Sequence, residues 1–77
     1  MEAMTVDLVA ARVAADPQVR SGQPIISGTR ITVWDILAWL GGGLTEAAIL
    51  EDYPELASDD IRAALQFASR LRDKVVQ

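Results

Sequence analysis

Thr32, Thr45 and Ser58 each stand directly before an apolar run, and that pattern divides the rest of the chain into three helices of rising length. A hydroxyl at a helix N-cap accepts a hydrogen bond from a backbone N–H that the helix itself leaves unpaired. After Thr32, residues Val33, Ile36, Leu37 and Leu40 recur at i, i+3, i+4 and i+7, one face of a helix. Gly41-Gly42-Gly43 ends it, since glycine adopts the left-handed conformation of a helix C-terminus without penalty. After Thr45, Glu46 places an anion in the first turn, where the helix dipole favours it. Ala47, Leu50 and Tyr53 carry the stripe with Ile49 beside it, and Pro54 stops it. After Ser58, Asp59 and Asp60 fill the first turn, and Ile61 stands where a complete capping box has Glu or Gln. Ile61, Ala64, Leu65, Ala68, Leu71 and Val75 then form one stripe over about four turns. Arg70, Arg72 and Lys74 complement the dipole at the far end. The loop Pro54 to Ala57 has the length of a helix-turn-helix corner.

The first 31 residues have a different texture. Val6, Val9, Ala10 and Val13 fit a helical stripe, while Val13 to Ala15, before Asp16-Pro17, fit a short strand. A residue preceding proline is pushed toward extended backbone. The expectation is helix or coil, then a strand near Arg12–Ala15. Asp16 to Pro24 is turn chemistry, Ile25-Ile26 is a β-favouring pair, Ser27-Gly28 is the next turn, and Thr29 to Val33 is rich in β-branched residues. Two or three very short strands follow, and they need a covering face to persist in water. The predicted fold is mainly α, a three-helix core over residues 32–77 with a β arm over residues 1–31, in one domain.

Composition excludes most catalysis. The 77 residues contain no His and no Cys, which removes Ser-His-Asp and Cys-His chemistry and zinc or haem sites built on either residue. The single lysine, Lys74, follows no glycine-rich loop, so there is no Walker-type phosphate loop. No cofactor and no metal is expected. Net charge is −4, against a dominant basic field for nucleic acid. Glu46, Glu51, Asp52 and Glu55 occupy residues 45–57 without a cation. No signal peptide and no apolar stretch of membrane-spanning length is visible, so a cytoplasmic location is expected. Paired carboxylates such as Asp35 and Asp52 remain for hydrolysis, with nothing to set them in a cleft, and no enzymatic activity is expected.

The run Asp16-Pro17, then Gly22-Gln23-Pro24-Ile25-Ile26-Ser27-Gly28-Thr29-Arg30-Ile31-Thr32-Val33-Trp34-Asp35-Ile36-Leu37, resembles the signature of the domain of unknown function 433 family. So do Leu44-Thr45-Glu46, Ile49-Leu50, Tyr53-Pro54-Glu55-Leu56 and Asp60-Ile61-Arg62-Ala63-Ala64-Leu65. The resemblance covers roughly Val13 to Leu71. It implies a homeodomain-like helix-turn-helix core with a small β arm. It also implies an antitoxin paired with a PIN-like ribonuclease toxin, and a homodimer formed through the N-terminal arm. The N-terminal strand departs from the family pattern, being the weaker Val13-Ala14-Ala15.

Candidate site residues fall into two groups, each with a plainer reading beside it. Gly28, Thr29 and Arg30 suit a contact loop for the dimer mate or the toxin, glycine giving backbone freedom and arginine a planar fork of donors. Alternatively, Thr29 caps a tight turn and Arg30 ties down a neighbouring carboxylate or helix end. Trp34 and Trp39 lie about 140° apart around their helix. One then fills the core while the other faces a partner, or both are cover. Arg62, Gln66, Ser69 and Arg70 share one face of the third helix and are types that read base edges. Alternatively they form a solvated polar face, and Asp59 and Asp60 stand where a recognition helix meets phosphate. A stand-alone DNA-binding regulator and a small dimeric interaction module are the competing functional readings.

Overall fold

The computed structural model describes residues 7–75, with side chains over residues 7–71; Val6 and the side chains of Arg72, Asp73, Lys74 and Val75 lie outside them. In order come α1 (Leu8–Arg12), β1 (Val13–Ala14), a 3-10 turn (Arg20–Gly22), β2 (Ile25–Ile26), α2 (Val33–Gly41), α3 (Glu46–Asp52) and α4 (Ser58–Val75). The chain is mainly helical with one small antiparallel sheet, in which Val13 pairs with Ile26 and Ala14 with Ile25.

Local signals build α2 and α3 as expected. Thr32 Oγ1 accepts from the Asp35 N–H at 2.9 Å, and Asp35 Oδ2 accepts from the Thr32 N–H at 3.0 Å, a closed capping box. Thr45 Oγ1 accepts from the Ala48 N–H at 3.1 Å. At the end of α2, Gly43 is left-handed with φ 104°. Its N–H donates to Leu40 and the Leu44 N–H donates to Trp39, a Schellman ending that satisfies the last carbonyls.

One cluster of buried side chains holds the elements together: Ile26, Ile31, Val33, Ile36, Ile49, Leu56, Ile61 and Ala64. Ile26 and Ile31 come from the arm, so arm and helices share a single core. Val33, Ile36 and Ile49 are fully buried. Truncating any of them to alanine or smaller removes packing worth on the order of 1–5 kcal/mol.

Four expectations are corrected. Thr29 to Val33 forms no strand beyond an isolated bridge between Ile25 and Thr32, because Thr32 is already committed to starting α2. In α3 Ile49, placed beside the expected stripe, is the fully buried residue; Leu50 and Tyr53 pack half-buried against the core as expected, and Ala47 is exposed. Ser58 is the first helical residue of α4 and Ala57 takes the cap position; the Ser58 hydroxyl donates instead to the Glu46 carboxylate. Asp60 closes that end, its Oδ2 accepting from the Ala57 N–H at 2.8 Å. Finally, Leu65 is 49% exposed while Ala63 is fully buried and Phe67 packs on the core. The buried face of α4 is rotated because α1 packs against it, a partner that sequence periodicity does not contain.

Candidate partner-binding surface

The turn after β2 is fastened from inside. The Ile26 N–H donates to Ile31 O at 2.9 Å and the Thr29 N–H to Ile26 O at 3.0 Å. The Thr29 hydroxyl donates to Ile26 O at 2.8 Å and accepts from the Ile31 N–H at 3.0 Å. Thr29 is thus the turn's clasp. Gly28, at φ 81°, takes the left-handed position at its tip, a conformation that costs other residues roughly 1 kcal/mol.

The arginine that ties down a carboxylate is not Arg30 but Arg20. Its Nη1 donates to Asp35 Oδ2 at 3.0 Å and to the Arg30 carbonyl at 2.9 Å. One side chain therefore fixes both the 26–31 turn and the start of α2. Burial pushes the Asp35 carboxyl up, but the Thr32 N–H, Arg20 and the Thr32 hydroxyl outweigh it and hold it below the usual aspartate value. Arg20 adopts φ 49°, uncommon for a residue with a side chain, and these two hydrogen bonds are what its conformation secures. Sequence reasoning missed Arg20; the available signal was Asp35, a carboxylate in the third helical position that attracts a cation.

Arg30 itself is exposed, and among the described residues its guanidinium has no ion pair. It lines a shallow groove of about 510 Å³ together with Ala14, Val19, Ile25 and Gly28.

The α4 face expected to read DNA is partly occupied by the chain's own α1. Gln66 Oε1 accepts from the Leu8 N–H at 3.0 Å, and Arg70 Nη2 lies 2.6 Å from Asp7 Oδ1. The Ala10 N–H and Arg70 hold the exposed Asp7 carboxyl below its usual value. Leu8 is buried beneath this contact. Arg62 is exposed and 3.5 Å from Asp59, and Ser69 is exposed. The four residues lie on one helix as expected, but Gln66 and Arg70 are engaged by α1 while Arg62 and Ser69 are open. Arg12 at the end of α1 sits 3.0 Å from Asp60 and 3.7 Å from Asp59, countering both carboxylates at the α4 N-terminus. That role for Arg12 was also missed.

The two tryptophans divide. Trp39 stacks on Tyr53 with centroids 4.3 Å apart and is half-buried against the core. Trp34 is 40% exposed, its ring set edge-on to Phe67 at 5.5 Å. Among the described residues no group of three or more Asp or Glu is placed to hold a metal ion, and no helix is long and apolar enough to cross a membrane.

A profile of the family described as "Protein of unknown function (DUF433)" matches residues 13–68. The chain belongs to the DUF433 family. It is 38% identical over 64 residues to the uncharacterized protein y4eO of Sinorhizobium fredii, a match covering 80% of this chain and 29% of that protein. It is also similar to the crystal structure of a DUF433 member from Anabaena variabilis, with TM-score 0.76 and 30% identity. That likeness covers 82% of this chain and 62% of the other. The chain thus spans less than two thirds of the length of either relative. The family match takes in β1, the 26–31 turn and most of α4, and begins after α1.

Proposed function

We propose that this DUF433 chain is a non-catalytic docking protein, the antitoxin of a type II toxin–antitoxin pair that binds and neutralises a PIN-like ribonuclease in the cytoplasm. The antitoxin assignment rests on the family resemblance, and the observation that supports docking is the contrast between the two candidate surfaces. The 26–31 turn is internally fastened and exposes Arg30, which has no ion pair among the described residues. On α4, by contrast, Gln66 and Arg70 are engaged by α1, and carboxylates crowd the helix start. A net charge of −4 also suits a protein partner better than a polyanion. Homodimerisation through the arm belongs to the same proposal.

The test is co-expression with the ribonuclease encoded by the adjacent reading frame, followed by sizing and a nuclease assay. A stable complex with suppressed ribonuclease activity is expected. Separate elution with full activity contradicts the reading and leaves the small dimeric module in its place. The order α3, turn, α4 and the exposure of Arg62 favour a second reading, operator binding. It predicts salt-dependent binding of promoter DNA, weakened by Arg62→Ala.

A further inference from the structure

We propose that the groove beside the 26–31 turn binds an extended acidic segment of a partner protein, seating a carboxylate on Arg30 and an aliphatic side chain on the floor made by Ala14, Val19 and Ile25. The inference deepens the docking reading and rests on it for the partner's identity.

Charge bookkeeping singles out Arg30. Arg12, Arg20, Arg62 and Arg70 each have a carboxylate within 4 Å on this chain. Arg30 has none among the described residues, although its backbone carbonyl is held by Arg20. Its backbone is therefore held while its exposed planar fork stays open, a group that takes a carboxylate through two parallel hydrogen bonds. The groove supplies the second half of the recognition. The groove, of about 510 Å³, sets the aliphatic side chains of Ala14, Val19 and Ile25 beside the polar Ser27 and Thr29, with Ile25 itself mostly buried. The turn tip is open to solvent: a Cβ built on Gly28 meets no atom within 4 Å. Asp16 lines the same groove. With that carboxylate beside it, Arg30 is the one cation of the lining and seats one carboxylate of the segment.

The experiment titrates isotope-labelled full-length protein, read by amide chemical shifts, with three acetylated hexapeptides: Val alternating with Glu, Val alternating with Gln, and Gly alternating with Glu. The Val–Glu peptide is expected to shift the amides of Val19 and of residues 25–30 saturably. The Val–Gln and Gly–Glu peptides are each expected to bind at least tenfold more weakly. Arg30→Gln, an exposed change whose folding the same spectra verify, is expected to bring the Val–Glu peptide down to the level of Val–Gln. Equal binding of the three peptides, or shifts confined to α3 or α4, overturns the proposal. So does hexathymidylate producing the same shifts, which assigns the groove to nucleic acid instead. Groove shifts in a protein that captures no ribonuclease uphold the groove and remove the antitoxin reading. A ribonuclease complex that Arg30→Gln leaves intact removes the groove as its docking site.

Discussion

The starts of α2 and α4 use the same parts in different proportions. In each, an aspartate in the third helical position accepts from the N–H of the cap residue, and an arginine from the N-terminal third reaches that aspartate at 3.0 Å. At α2 the cap is Thr32, so the box closes from both sides, and the ion pair of Arg20 with Asp35 is about one-third exposed on either partner. At α4 the cap is Ala57, which returns nothing, and Asp60 is buried, its side chain 8% exposed. The α2 start is thus held mainly by neighbours in sequence, and the α4 start by a residue 48 positions away. This teaches where α1 earns its place: it neutralises a carboxylate that the fold buries.

The comparison is broken or sharpened by a graded set of substitutions, all read as urea or thermal unfolding. Arg12→Ala leaves a buried carboxylate short of its cation, and a loss of about 2 kcal/mol is expected. Arg20→Ala removes a screened pair, with a loss of at most about 1 kcal/mol. Equal losses at the two arginines would break the distinction. Thr32→Ala opens the α2 box and is expected to cost about 1 kcal/mol, whereas Ala57→Ser supplies the missing half at α4 and is expected to stabilise by several tenths to about 1 kcal/mol. Arg20→Gly loses the same ion pair as Arg20→Ala but relieves a left-handed residue, so it is expected to be the milder of the two by up to about 1 kcal/mol.

The smallest effect is on pH. The Asp35 carboxyl is held below its ordinary value in the folded chain, so its contribution is fully present above that value and drains away as pH falls through the folded one. Stability is expected to fall below about pH 4, and Asp35→Asn is expected to flatten that acid limb. An unchanged limb in the variant would show that other carboxylates govern it.

What was legible in the sequence was local. Thr32 and Thr45 announce their helices because a cap acts within three residues, and Gly43 announces the end of α2 for the same reason. Short β-favouring runs separated by turn residues marked strands near Val13-Ala14 and at Ile25-Ile26, but that these two pair with each other within the chain shows only in the structure. What escaped was long-range. The roles of Arg12 and Arg20 depend on folding that joins residues 48 and 15 positions apart. The docking of α1 rotates the buried face of α4 toward Ala63 and Phe67 and takes up Gln66 and Arg70. At the candidate site the turn was found, and of the two readings of Thr29, partner contact or turn cap, the hydrogen bonds show the cap. The alternative reading of Arg30, as a tie to a carboxylate, passes to Arg20, which lies ten positions earlier.

Amide hydrogen exchange on the protein with and without the proposed ribonuclease partner tests the docking claim most directly. Complex formation is expected to slow exchange at exposed amides of residues 25–30 and to leave the contact between α1 and α4 unchanged. Protection confined to α4, with α1 released, would contradict the account.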